Sequence, residues 1–207
     1  MLAIVDYGVG NLFSLECSLA AIGVESVVTA DPAVLEKADQ IILPGVGAFG
    51  DAAQKLRDTG LDQHVIRLAK AGKPLLGICL GMQLLFEKGY EFGEYDGLGL
   101  ISGHVRAMTE VIPDGYKIPQ IGWNALKFER ENPLFSYIKD GDFVYFVHSY
   151  CATDCEDAVI ATTEYGAPVT AAVANGNVFG CQFHPEKSGD VGLKILKAFA
   201  ERSAQTC

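Results

Sequence analysis

Pro74-Leu75-Leu76-Gly77-Ile78-Cys79-Leu80-Gly81-Met82-Gln83 decides the fold of this chain. Leu75, Leu76 and Ile78 form an apolar run without polar alternation, the pattern of a parallel strand covered on both faces. Gly77 and Gly81 bracket Cys79 two residues away on each side. That is the Gly-x-nucleophile-x-Gly turn between a strand and a helix, with cysteine in the serine position. The glycines let the turn lie against its neighbours without a Cβ clash. Residues Leu80 to Glu87 favour a helix, which would put Cys79 at a helix N-terminus, where free amides and the dipole favour a thiolate. A free thiol is only about 3 % thiolate at neutral pH, and a helix end corrects this only in part, so a histidine is expected nearby. A lone cysteine after a strand is more often a structural residue; the glycine bracket is what favours a nucleophile.

The 207 residues suit one domain spanning the chain, and a hydrophobic content of 49 % is enough for a substantial core. A formal net charge of −10 speaks against nucleic acid and anionic membranes as partners. Met1 to Val5 is apolar but short, and Asp6 interrupts it without a basic start. No apolar stretch approaches membrane-spanning length. The cysteines at 17, 79, 151, 155, 181 and 207 show no Cys-x-x-Cys spacing, and no histidine or second pair completes a zinc pattern around Cys151 and Cys155. The expectation is a cytoplasmic chain with reduced thiols, no metal and no cofactor.

The first half alternates strands (Leu2–Val5, Ser26–Val28, Gln40–Leu43) with helical patterns (Leu12–Ala21, stopped at Gly23; Pro32–Ala38; Leu56–Ala71). That alternation predicts an α/β fold with a mostly parallel central sheet flanked by helices, with ligands beyond the carboxyl ends of the strands. Gly8-x-Gly10 fails as a dinucleotide fingerprint because Phe13 stands where the third glycine belongs. Pro44-Gly45-Val46-Gly47-Ala48-Phe49-Gly50 follows the third strand. Its glycines free the backbone to turn amides inward, as an oxyanion formed at Cys79 would require; the plainer alternative is a flexible loop.

From Glu91 the segments shorten, with strands expected at Val105–Met108, Ile121–Trp123 and Ala125–Phe128. Trp123 is either a partner contact on a glycine-flexed loop or a core residue. Asp142–Val147, Ala158–Thr163, Val169–Ala174 and Val178–Phe183 read as antiparallel strands, with a hairpin signal at Asn175-Gly176. Gly189–Ser203 reads as a closing helix. Between them lies Gln182-Phe183-His184-Pro185-Glu186. Pro185 biases His184 to an extended conformation, in which residues two apart share a side, so the Glu186 carboxylate can orient the His184 imidazole. With Cys79 this composes a nucleophile–base–orienter triad. His64 reads as a surface residue and His104 lacks catalytic neighbours. His148 is the rival base, without a carboxylate two residues on.

The loop Pro44–Gly50, the elbow Gly77–Gln83 and His184-Pro185-Glu186 together resemble the class I, triad-type glutamine amidotransferases over essentially the whole chain. The resemblance implies Cys79, His184 and Glu186 as catalytic residues, with Gly47 and Leu80 amides facing the oxyanion. It implies glutamine contacts from Gly45, from Gln83 and Glu87 on the helix after the elbow, and from the backbone of Ser149 and Tyr150. Narrower clues are Asp6-Tyr7-Gly8-x-Gly10-Asn11, Pro119-Gln120-Ile121-Gly122-Trp123-Asn124, His148-Ser149-Tyr150 and His184 to Ser188. They imply a heterodimer in which ammonia passes to a separate (β/α)₈-barrel cyclase subunit, faced by Asn11, Pro119, Gln120, Trp123 and Asn124. Ile118-Pro119-Gln120-Ile121 departs from the His-Met that often follows the proline in the family. Two rivals share the fold: another triad amidotransferase or γ-glutamyl hydrolase, and a non-catalytic binding protein, against which the intact triad speaks. The glycine-rich Pro44–Gly50 loop further implies a productive amide orientation that is a minor state until a partner binds.

Overall fold

The computed structural model describes residues 1–202; Ser203, with which the expected closing helix ends, and Cys207 lie outside them. The chain opens with β1 (Leu2–Val5), α1 (Leu12–Ala21), β2 (Ser26–Thr29), α2 (Pro32–Lys37) and β3 (Gln40–Leu43). Next come α3 (Phe49–Asp58), α4 (Leu61–Lys70), β4 (Leu75–Ile78) and α5 (Leu80–Leu84). Local chemistry sets these boundaries. Asp31 caps α2 by accepting the Ala33 N–H at 2.8 Å, with Pro32 in the first turn. The helix expected over Leu56–Ala71 starts earlier, at Phe49, and is cut in two at Gly60, whose φ of 71° no helix accommodates.

The helix expected to run to Glu87 stops at Leu84. A later loop takes its last carbonyls: Leu98 N–H donates to Leu84 O at 2.7 Å and Leu100 N–H to Leu85 O at 2.9 Å. Glu87 therefore sits beyond α5, not on it. The rest of the chain is mostly strand: β5 (Lys88–Gly89), β6 (Tyr95–Asp96), β7 (His104–Ala107), β8 (Gln120–Ala125), β9 (Lys127–Phe128), β10 (Phe143–His148), β11 (Tyr150–Thr153), β12 (Val159–Glu164), β13 (Pro168–Asn175) and β14 (Val178–Cys181). Helix α6 (Gly189–Ala200) follows.

The main sheet has eight strands in the order β2-β1-β3-β4-β14-β13-β12-β9. The first five are parallel and the last three antiparallel. The C-terminal strands were expected to be antiparallel throughout; β14 is antiparallel to β13 but parallel to β4, and so joins the two halves. The ribbon β10-β8 and a four-stranded sheet β11-β7-β5-β6 lie apart from it, and β11 opens at Tyr150.

Alternation along the strands feeds two cores. Ala3, Val5, Ile41 and Leu43 pack with Leu56, Val65 and Met82 of α3, α4 and α5. Leu2, Ile4, Ile42 and Leu76 pack with Leu15 and Leu19 of α1 and with Ile195 and Phe199 of α6. The fold is thus α/β, a mostly parallel sheet between helices, with antiparallel strands contributed by the second half.

Backbone meets backbone at the turn after β4. A Cβ on Gly81 would lie 1.9 Å from Leu43 O, and one on Gly77 would lie 2.6 Å from Gly81 O. At Gly23, whose φ is +73°, a Cβ would meet nothing within 4 Å. Gly77→Ala should therefore lower unfolding free energy by about 1–3 kcal/mol through overpacking, and Gly23→Ala by about 1 kcal/mol through the left-handed backbone alone. Urea melts of both variants check this; a Gly77→Ala protein as stable as wild type would contradict the packing described.

Candidate active site

The parallel pairing of β14 with β4 sets the site. Gly180 lies opposite Gly77 and Cys181 opposite Ile78, so both chains leave the sheet at the same edge. The first bond beyond the strands, Cys79 N–H to Cys181 O at 2.8 Å, extends this register by one residue. Cys79 itself has φ 55° and ψ −113°, a conformation that costs a non-glycine residue roughly 1–3 kcal/mol and persists only where the surroundings impose it. Gln83 N–H to Cys79 O at 3.1 Å completes the turn.

Beyond β14, Tyr145 of β10 clamps the chain. His184 N–H donates to Tyr145 O at 2.9 Å, Tyr145 N–H donates to Ser188 Oγ at 3.0 Å, and the Ser188 hydroxyl donates to His184 O at 2.6 Å. His184 Nδ1 meets Glu186 Oε1 at 2.7 Å, both side chains nearly inaccessible. The pairing was expected from an extended segment. Instead Pro185–Lys187 is a 3₁₀ turn with proline in its first position, and this turn brings Glu186 back under the ring.

Burial lowers the His184 pKa, but interactions with Cys79 and then with Glu186 outweigh it and hold the imidazole up at about 9. His148 behaves oppositely. Burial, reinforced by the His184 charge, pushes it down to about 4, although its contact with Tyr150 O acts the other way. His148 Nδ1 lies 2.8 Å from that carbonyl, so the neutral ring carries its proton there, and its buried Nε2 has no partner among the described residues. Tyr7 O–H donates to Pro44 O at 2.8 Å at the start of the glycine loop, and burial raises its pKa, the Cys79 charge adding to the effect.

Cys79, Leu80, His148 and His184 line one cavity of about 390 Å³, together with Gly47, Gln83, Ser149 and Tyr150. Gly47 has φ +98°, open to glycine. Leu80 opens α5, where a backbone N–H has no intrahelical acceptor. Gly45 packs behind the elbow, where a Cβ would come within 2.7 Å of Gly81 N. Gln83 Nε2 donates to Tyr150 O at 3.1 Å and to Gln182 Oε1 at 3.0 Å. Glu87 is not among the lining residues; it is exposed and its carboxylate accepts the Gly103 N–H at 3.1 Å. The carboxylate that does line the cavity is Glu91, which sequence reading missed. Its Oε2 accepts the Phe49 N–H at the start of α3 at 2.7 Å, and burial raises its pKa despite that bond. No spacing signal marks Glu91. Gln182, also missed, stands two residues before His184 and carried such a signal.

Of the residues expected at a partner surface, Trp123 is 52 % exposed, edge-on to Tyr145, and Pro119 lies at the cavity wall. Asn11 caps the start of α1 by backbone only. Gln120 does not belong to a surface. Alternation along β8 turns it inward, fully buried, where its Nε2 donates to Asn124 Oδ1 at 3.0 Å, and Ile121 faces out instead. Among the described residues no cluster of side chains suits a metal, and no helix is long and apolar enough to cross a membrane.

Residues 3–202 match the family model of glutamine amidotransferase class-I. The imidazole glycerol phosphate synthase subunit HisH of Caldanaerobacter subterraneus subsp. tengcongensis is 48 % identical, over 97 % of this chain and 98 % of that protein. The HisH subunit of Bacillus cereus is 50 % identical, over 96 % and 93 %. A solved glutamine amidotransferase shares the fold with a TM-score of 0.74 at 20 % identity, over 95 % of this chain and 98 % of that one. The structure of PurLQS from Thermotoga maritima does so with a TM-score of 0.75 at 22 % identity, over 96 % of each. The chain therefore belongs to the class I glutamine amidotransferases and, within them, to the HisH family of imidazole glycerol phosphate synthase subunits.

Proposed function

We propose that this chain, as one domain, hydrolyses glutamine by a Cys79–His184–Glu186 triad and hands the ammonia to a separate (β/α)₈-barrel cyclase subunit. The observation that carries it is the His184 imidazole, bonded to Glu186 at 2.7 Å and raised by Cys79 across one cavity. The Cys79 thiolate attacks the side-chain amide carbon of glutamine. The oxyanion is met by amides of Gly47 and Leu80. Imidazolium His184 gives its proton to the departing nitrogen, leaving a glutamyl thioester and ammonia. His184 then takes a proton from water, which attacks the thioester and releases glutamate with the thiolate restored.

Substrate recognition follows from the free valences of the wall. Both N–H groups of the Gln83 amide have acceptors, which leaves its oxygen, with the Glu91 carboxylate, for the α-ammonium. Ser149 and Tyr150 contribute backbone groups, and Gly45 shapes the floor. The acidic net charge and the relatives' role suit a cytoplasmic heterodimer. In it ammonia joins a ribonucleotide-derived intermediate, giving imidazole glycerol phosphate and an aminoimidazole carboxamide ribonucleotide for histidine synthesis. The exposed Trp123 face, with Asn11, Pro119 and Asn124, would meet the cyclase.

Glutamate release from glutamine tests the proposal. Full activity is expected only with the cyclase and its ligand; His184→Asn should lose about 10²–10⁴-fold in kcat, and Cys79→Ala should be inactive. Rapid turnover by the Cys79→Ala complex would contradict the mechanism. Glu91→Gln keeps an acceptor for Phe49 N–H but removes the charge, so KM for glutamine should rise roughly tenfold or more with little change in kcat. Glu87→Gln should leave KM unchanged, and the opposite pattern would return the contact to Glu87. In an NMR titration the His184 ring should lose its proton near pH 9, and at lower pH in Cys79→Ala. Its folded value lies above the ordinary 6.5, so its contribution to stability is complete below pH 6.5 and is lost as pH rises through about 9. A midpoint unmoved by Cys79→Ala would contradict the pairing.

A further inference from the structure

A chain of side-chain amides reaches the Cys79 sulfur from an atom that can only accept. Tyr150 O takes a hydrogen bond from Gln83 Nε2 at 3.1 Å, which fixes which way the Gln83 amide points. The same Nε2 lies 3.0 Å from Gln182 Oε1, so that oxygen is the acceptor and Gln182 must turn its own Nε2 the other way. There it lies 3.7 Å from Cys79 Sγ, within hydrogen-bond range of sulfur. Gln182 is fully buried, and its main chain is pinned by a 2.9 Å bond from its N–H to Ala171 O. Among the described residues the orientation of this amide is thus set from the backbone outward.

We propose that Gln182 is a positioning residue for the nucleophile, its side-chain amide donating a hydrogen bond to the Cys79 sulfur and holding it as the thiolate. His184 supplies a charge on one side of the sulfur, and Gln182 supplies a neutral donor that takes no part in proton transfer. A buried anion needs such donors, since burial without them is strongly unfavourable. Gln83, which lines the cavity, is thereby tied to both the wall at Tyr150 and the donor at the sulfur. This inference rests on Cys79 being the nucleophile of the proposed function.

Alkylation by iodoacetamide of the full chain, followed residue by residue by peptide mass spectrometry across a pH series, tests it. The exposed Cys17 serves as the reference within the same molecule. Gln182→Glu keeps the acceptor for Gln83 and removes the donor to sulfur; Gln182→Met removes both at similar length. In each, Cys79 alkylation at neutral pH should fall roughly tenfold, the worth of a hydrogen bond to a charged group. Its pH profile should move upward while that of Cys17 stays in place. Profiles identical to wild type in both variants would overturn the assignment, as would loss of folding in both, which would make Gln182 purely structural. If only the Met variant unfolds, the Glu variant decides. A wild-type Cys79 that follows the profile of Cys17 would instead contradict the nucleophile itself.

Discussion

The site depends on the register of β4 against β14. Two four-residue strands, about a hundred positions apart in the sequence, run parallel with Gly77 beside Gly180 and Ile78 beside Cys181. The groups of the proposed triad all lie in the next few residues of each strand. A slip of one residue would turn every side chain to the other face of the sheet, carrying His184 and Gln182 away from the sulfur. The register is protected by burial on both faces and by close packing at the paired glycines, where a Cβ at Gly77 would lie 2.7 Å from the Met82 backbone and one at Gly180 2.6 Å from the Met82 side chain. The strained Cys79 backbone is affordable only inside that frame, clamped at its N–H by Cys181 O.

Two histidines share the cavity, and their surroundings divide the work. Both are buried, which alone disfavours charge on either. His184 interacts with Cys79 and with Glu186, which outweigh its burial and hold it up at about 9. His148 has only the Tyr150 carbonyl, feels the His184 charge as repulsion, and is driven neutral to about pH 4. Environments that push two identical groups apart in this way suit one to the proposed proton transfer and the other to a fixed hydrogen-bonding role. Tyr150 O is the shared anchor, taking bonds from His148 and Gln83 and so orienting both the neutral ring and the amide pair behind Cys79.

What sequence reasoning could see was local. The elbow around Cys79 was legible because a turn that tight excludes a Cβ, and glycines at 77 and 81 announce it. His184 and Glu186 were legible as a pair, though for the wrong geometric reason, since a 3₁₀ turn and not strand alternation joins them. The period-two rule applied there also reaches back to Gln182, which is the residue that contacts the sulfur. Gly60 is a readable helix break, masked by the long periodic stretch around it. Other features have no local signature. The early end of α5 is imposed by the loop around Leu98 to Ile101, and with it Glu87 leaves the helix. The parallel partner of β14 is a strand about a hundred residues upstream, and Glu91 enters the cavity from an irregular loop.

In the proposed reaction a sulfur, an imidazole and a carboxylate act together to cleave an amide through a thioester on Cys79. Acid quenching of the full complex during turnover with glutamine, followed by mass spectrometry of its peptides, examines that species directly. A glutamyl adduct on the Cys79 peptide, accumulating further when His184 is replaced by a residue that slows its hydrolysis, is the predicted result. Glutamate release with no adduct on Cys79, or with the adduct on another cysteine, would contradict the account.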